Sequence, residues 1–317
     1  MLRNCICKLP EAFVAFRNLI SLHFEKMAFA AHIFGTLVPC VPLLETLNFS
    51  GCTAIEHFNI HFPKLKTFVA TDSCNVESIS FQSTPNLTMI CIALGTEAEN
   101  PGRRSTINLK KFLDNLPRVL KICFDGFFLK VSSVVVPWVL SIPFNQLKHP
   151  VFTKLRFDDV DQMSCVLCLL RSSPNLKKLC MTMRLASAVG DNAVEPVPRY
   201  LEALGCMYQL LNQLRTVKIT SIKGLRTELL FIKCILACSP VLETICVQYH
   251  EIVDAHEGFR ISTEMMRFSW ASPRAEIVYV KPKVVECWRK RKMSHLLAFP
   301  KLLLVAWIEE WDWIVNS

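Results

Sequence analysis

Glycine is scarce in this chain, 9 of 317 residues. That excludes collagen-like and Gly-rich linker sequence and leaves little material for Gly-dependent phosphate loops. There is no GxxxxGK[ST] segment, no HExxH and no GxSxG elbow. Nucleotide, zincin and α/β-hydrolase chemistry therefore lack their motifs. No run of 18 apolar residues is free of charge. The nearest, FPKLLLVAWIEEWDWIV, is broken by Lys301, Glu309, Glu310 and Asp312, so a membrane span is not expected. The opening MLRNCICKLPEAF has no long apolar core of the kind a secretory leader needs. A strong charge imbalance is missing too. The 36 basic and 27 acidic side chains give a net charge of +9, spread along the chain, a weak footprint for nucleic acid. No nucleic-acid or membrane partner is expected.

Apolar residues are plentiful. They make up 51% of the chain, against 20% charged, which excludes a disordered or solvating polymer. The length suffices for a large core, in one extended domain or two ordinary ones. The 15 cysteines are odd in number and lack the spacing of a small secreted scaffold. They are expected to be thiols acting as small hydrophobes in a reducing compartment, cytoplasmic and/or nuclear. The sequons at Asn48 and Asn86 then carry no meaning.

One pattern recurs: a Pro or Asn, then leucine-x-x-apolar-x-apolar. It reads RNLISLHF at 17–24, PLLETLNF at 42–49, PKLKTFVA at 63–70 and PNLTMICI at 85–92. It returns loosely as PRVLKICF at 117–124 and VFTKLRFD at 151–158. It is clean again as PNLKKLCM at 174–181, NQLRTVKI at 212–219 and PVLETICV at 240–247. Pro42 to Pro63 is 21 residues and Pro63 to Pro85 is 22, the period of leucine-rich repeats. The last four positions alternate, which predicts a half-buried strand with Leu19, Leu22 and Phe24 inward in the first unit. Stacked units form a parallel sheet, and no unit can bury its face alone. Met163, Val166, Leu167 and Leu170 make a helix stripe within 161–172. TELLFIKCILACSP at 227–240 repeats it, and FAAHIFGTLVPCVP at 29–42 is a weaker version. The shorter units are expected to use turns. The fold class expected is α/β: a curved leucine-rich-repeat solenoid, with strands on the concave face and helices and loops on the convex one.

The units PLLETLNFSGC, SSPNLKKLCM and ACSPVLETICV, followed by EMMRFSWASPRAEIVYV at 264–280, resemble plant F-box/FBD/LRR-repeat proteins over about residues 1–281. In the closing FBD segment, Met265, Met266 and Phe268 match helix positions. Ser272, Pro273, Arg274, Ala275 and Glu276 match the motif core, and Ile277 to Val280 the last strand. The organisation implied is irregular repeats over 1–250, an FBD-like segment over 251–281, and an atypical tail over 282–317 that departs from the family pattern. The F-box itself, a helical module docking the Skp-family adaptor of a cullin ubiquitin ligase, is not found in this sequence. The resemblance thus implies the substrate-recognition part of an SCF-type ligase, a protein-interaction module for an unknown protein substrate. The Skp-family adaptor is a partner only if an F-box is supplied upstream. A truncated or decoy form without ligase activity is the variant of this reading. A small anionic-ligand receptor on the same solenoid, with Arg156, Lys178 and Lys218 lining its pocket, is the alternative. No enzymatic activity and no cofactor are expected.

Aligning the repeats assigns the concave face. Early units offer Ser21, His23, Glu25, Thr46, Asn48, Thr67 and Thr71. Later units offer Lys121, Lys154, Arg156, Lys178 and Lys218, relieved by Asp125 and Asp158. The candidate partner-binding residues are Ser21, His23, Asn48, Lys121, Lys154, Arg156, Lys178 and Lys218, an increasingly basic surface suited to an acidic partner. Cys91, Cys123, Cys180 and Cys246 fall at one position of the same face. They are either a redox- or metal-sensitive set or small side chains on a wall. Cys165-x-x-Cys168, Cys5-x-Cys7 and Cys234-x-x-x-Cys238 lack the further ligands a zinc site needs and read as packing. His57 and His61 have no third ligand in view. Arg289 to Lys292 reads as solvated charge or a nuclear localisation signal. Trp307, Trp311 and Trp313 make the final segment amphipathic.

Overall fold

The computed structural model describes residues 2–3, 6–7, 16–29, 37, 40–53, 55–72, 76–95, 107–114, 116, 118–132, 139–140, 142–184 and 211–280. Expectations placed on the tail over 282–317, on Cys5 and on most of the weak helix over 29–42 lie outside them.

The repeats stack as the alternation requires. Strands β1 (Leu2–Arg3), β3 (Ser21–Glu25), β5 (Thr46–Ser50), β7 (Thr67–Thr71), β9 (Met89–Ala93), β10 (Lys121–Asp125), β11 (His149–Leu155), β12 (Lys178–Met183), β13 (Thr216–Ile222), β14 (Thr244–Tyr249) and β15 (Glu276–Val280) form one sheet in that order. Every pairing in it is parallel. The sheet is open, and the chain forms a leucine-rich-repeat solenoid.

Six of the strands are launched by the same device. The repeat leucine is buried, and its N–H closes a tight turn onto the carbonyl three residues back: Leu44 to Val41, Leu65 to Phe62, Leu87 to Thr84, Leu147 to Phe144, Leu214 to Leu211 and Leu242 to Ser239. Two asparagines tie a turn to its neighbour, Asn86 Nδ2 donating to Pro63 O and Asn175 Nδ2 to Asn145 O, both at 2.9 Å. The motif therefore sets strand register as well as strand position.

The outer layer changes along the chain. In the later units it is helical: α1 (Leu109–Asp114), α2 (Gly126–Val131), α3 (Val160–Arg171), α4 (Arg226–Cys238) and α5 (Ala255–Met266). The predicted stripe Met163, Val166, Leu167 and Leu170 is fully buried. In the early units the expected turns are instead short strands. β2 (Ile6–Cys7) pairs with β4 (Ala28–Phe29), and β6 (His57–Ile60) with β8 (Ser78–Phe81), both parallel. A unit of about 22 residues has no room for a helix of useful length, and an extended segment spans the outer side with fewer residues. Phe58, Ile60 and Phe62 alternate inward, as do Ile79 and Phe81.

Phenylalanine rings link these layers. Phe24 stacks on Phe49 at 5.2 Å between centroids, and Phe49 meets Phe58 at 5.2 Å. Phe58 meets Phe68 at 5.6 Å, Phe68 meets Phe81 at 5.2 Å, and Phe81 meets Phe112 of α1 at 5.8 Å. The ladder continues to Phe124 and Phe128. Each such pair contributes about 0.5–1.5 kcal/mol beyond the area it buries.

Two sequence readings need correction. The unit over VFTKLRFD at 151–158 is displaced. The strand is His149–Leu155 and its repeat leucine is Leu147, with Pro150 beside Ile122 and Phe152 beside Phe124. A proline in an inward strand position disguised the match. Phe268 lies past the end of α5, whose C-cap is Arg267.

The segment over 272–276 forms a turn that leads into the last strand. Ser272 is buried, as are Ser173 and Ser239 at the equivalent place before Pro174 and Pro240. Its Oγ donates to Leu242 O at 2.6 Å, and Ala271 N–H donates to Leu236 O at 3.0 Å. Pro273 and Arg274 turn outward, Ala275 packs on the core and Glu276 opens β15.

Phe68 touches three rings of the ladder and is fully buried. Phe68→Ala should lower unfolding free energy by about 3–5 kcal/mol, and Phe68→Leu by clearly less. Urea denaturation followed by circular dichroism measures both.

Candidate functional site

One face of the sheet packs on the outer layer; the other is open. Strand pairing aligns the open face in rows. The central row runs His23, Asn48, Val69, Cys91, Cys123, Val151, Cys180, Lys218, Cys246 and Val278, each opposite the next. A flanking row holds Ser21, Thr46, Thr67, Met89, Lys121 and His149, then Lys178, Thr216, Thr244 and Glu276.

The candidate partner-binding residues divide. Ser21 and His23 are exposed on the first long strand, and Asn48 is half-buried beside His23. Partial desolvation of the ring, and then the charge of the N-terminus, lower the His23 imidazole pKa from its ordinary value. The Asn48 Oδ1 is buried with no hydrogen-bond partner among the described residues. Lys121, Lys178 and Lys218 are half-buried on β10, β12 and β13. Lys154 and Arg156 do not join these rows. Lys154 sits at a register shift with a positive φ of 53°, and Val151 and Thr153 take the aligned places. Arg156 follows the strand and pairs with Asp158, Nη2 to Oδ2 at 2.8 Å. That ion pair lowers the Asp158 pKa. The basic character of the face therefore rests on Lys121, Lys178 and Lys218.

The middle of the open face is closed to solvent. Val69, Cys91, Cys123, Ala93 and Cys180 are buried. Cys91 and Cys123 are direct neighbours, as the repeat alignment anticipates, and share a side-chain hydrogen bond. Val151 separates Cys123 from Cys180, and Lys218 separates Cys180 from Cys246. The bond to Cys91 and then burial hold the Cys123 thiol well above its ordinary pKa. Burial pushes Cys180 up to about 12. Thiols held protonated are poor nucleophiles, which favours the wall reading of the row. Cys165 and Cys168 are buried inside α3, their pKa values raised chiefly by burial, in keeping with packing.

Asp125 is the buried acid of this region. It ends β10 and caps α2, accepting from Phe128 N–H at 2.9 Å and from Gly95 N–H at 3.1 Å. Burial raises its pKa to about 6, partly offset by these backbone donors. The alignment offered Asp125 as surface charge relieving the lysines; it is a structural cap instead. Glu228 plays a similar part at α4, accepting from Lys223 N–H at 2.9 Å and Leu225 N–H at 3.0 Å.

His57 and His61 do not converge as ligands. The groups brought together are Glu56, His57 and Glu77, with ligand atoms within 4.8 Å of one another. The His57 Nδ1 is bonded to Ser78 Oγ at 2.9 Å. Glu77 comes from the next unit, 21 positions from Glu56, which only the stacking of β6 on β8 reveals. Among the described residues, no helix is long and apolar enough to cross a membrane.

Comparison with known proteins bears on this architecture. The chain is 29% identical over 290 residues to an F-box/FBD/LRR-repeat protein of Arabidopsis thaliana, an alignment covering 88% of this chain and 67% of that protein. The match supports an F-box/FBD/LRR-repeat type of protein. No family model matches the chain, and no solved structure matches it. In this chain the repeat strands and β15 belong to one continuous sheet.

The Asp125 pKa, raised in the fold, gives a signed pH effect. Its protonated form favours folding below about pH 4, and that contribution is lost as pH rises through about 6. A shift of about two units corresponds to about 3 kcal/mol. Asp125→Asn should flatten this part of the stability profile. It should also cost about 1–2 kcal/mol at low pH, since its amide cannot accept from Gly95 N–H. Urea midpoints of both proteins between pH 4 and pH 7 check this.

Proposed function

We propose that this chain is a non-enzymatic interaction module that docks a protein substrate on the open face of its sheet. The observation that carries the reading is the placing of Lys121, Lys178 and Lys218 on that face by strands β10, β12 and β13. Strands in such a sheet lie about 4.8 Å apart, so side chains far apart in sequence act as one surface. The Asn48 Oδ1, buried without a partner, adds a place where a donor from a bound chain would recover a lost hydrogen bond. The partner that fits is acidic. Shape and charge matching do the work, and no covalent step is needed.

The relative's name supports an F-box/LRR type of interaction role. On that ground the module would serve as the substrate-recognition half of an SCF-type ubiquitin ligase, acting in the cytoplasm or nucleus. A Skp-family adaptor would join it through an F-box. A form without that module would hold substrate without delivering it. The FBD motif residues Ser272 to Glu276 serve the fold in this reading, by launching the last strand.

Affinity capture with the intact chain and with a Lys121→Glu, Lys178→Glu, Lys218→Glu variant tests the docking face. The variant should melt within a few degrees of the parent, and acidic proteins bound by the parent should be depleted at least tenfold. An unchanged set of bound proteins would remove the face from consideration.

A further inference from the structure

The outer strands β6 and β8 share a short pattern one unit apart. It reads Ile55-Glu56-His57-Phe58 in the first and Val76-Glu77-Ser78-Ile79 in the second. Ile55, Phe58, Val76 and Ile79 are buried and anchor both segments in the core. The two strands are parallel, with His57 opposite Ser78. The Glu56 carbonyl accepts from Glu77 N–H at 2.7 Å and from Ser78 N–H at 3.2 Å. Packing and hydrogen bonds therefore fix the backbone beneath both acids, and one glutamate stacks on the other. Neighbouring strands stand about 4.8 Å apart, and like charges placed side by side on them repel.

An imidazole joins the two carboxylates. Ligand atoms of Glu56, His57 and Glu77 lie within 4.8 Å of one another. A zinc ion holds nitrogen and oxygen donors at about 2.0–2.2 Å, which puts the donors of one ion about 3–4 Å apart. A rotamer change of Glu56, which is exposed, covers the difference. The His57 ring is already held, since its Nδ1 is bonded to Ser78 Oγ at 2.9 Å. A partner on one ring nitrogen is the usual support of a metal-bound imidazole, because it orients the ring and leaves the other nitrogen as the donor. The donor set also selects the ion. Imidazole suits zinc and its first-row neighbours, whereas calcium and magnesium take oxygen donors.

We propose that Glu56, His57 and Glu77 form a binding site for a divalent first-row metal ion of the zinc type. Glu56 and His57 supply donors from one unit and Glu77 from the next. The ion offsets the repulsion of the stacked carboxylates and clamps the outer layer of the two units together. His57 donates through Nε2, with Ser78 holding the ring. Water completes the coordination on the exposed side. The site belongs to the outer layer, and the lysines of the docking face take no part.

The full chain, freed of metal with a chelator, is titrated with Co²⁺ followed by absorption and with Zn²⁺ followed by calorimetry. Saturable one-to-one binding is expected, with a cobalt spectrum that lacks a thiolate-to-metal charge-transfer band. Excess Zn²⁺ should raise the melting temperature, because the donors meet only when the two units are stacked; Ca²⁺ should not. His57→Ala and Glu77→Gln should each weaken Zn²⁺ at least about tenfold and remove the melting shift. Without metal both should melt like the parent, since neither side chain is buried. His61→Ala should bind as the parent does. Absence of saturable binding, or binding that the His57 and Glu77 variants retain, would overturn the site. A thiolate charge-transfer band would overturn it by placing the ion on the cysteines, and a loss in His61→Ala would overturn the ligand set.

Discussion

Register between parallel strands is the constraint on which the rest of this structure depends. A strand whose side chains alternate between two faces tolerates no slip of one residue, because the slip would exchange its buried and open sets. Here the register is fixed twice per unit. The repeat leucine anchors the turn before the strand, and an inward phenylalanine or aliphatic residue locks the strand against its neighbour. Each unit inherits its place from the one before, and stability spreads along the stack through nearest neighbours.

That inheritance explains why the outer layer can vary while the sheet does not. Short units cover the core with strands β6 and β8, and longer ones with α3 and α4. The phenylalanine ladder bridges both kinds, since Phe81 of a strand meets Phe112 of a helix. The segment before β15 follows a related logic. Its buried Ser272 precedes a proline as Ser173 and Ser239 do, and the turn after it leads into β15.

The open face is divided between packing and charge. Small and thiol side chains fill its buried centre, where a long side chain would lose conformational freedom and a charge would lose solvation. Lysines stand at the half-buried positions of the later strands. Aliphatic stems can lie along the wall while the ammonium groups reach water. The arrangement gives a surface buried in its centre and charged at intervals.

Some of this was legible in the residues alone. Periodic leucines gave the units, alternation gave the strands, and the stripe in DQMSCVLCLL gave α3, because each is a local pattern tied to a fixed geometric period. The cysteine row was readable too, since parallel stacking turns equal repeat positions into neighbours. The strands β6 and β8 were present as alternation in HFNIHF and SISF, a signal outside the repeat motif. The placement of Lys154 and Arg156 was lost when Pro150 masked the true unit. Only the tertiary structure decided the burial of Asp125 and the meeting of Glu56 with Glu77. These depend on contacts across units. Sequence periodicity determines which residues face inward; the stacking of the units determines which side chains of different units meet.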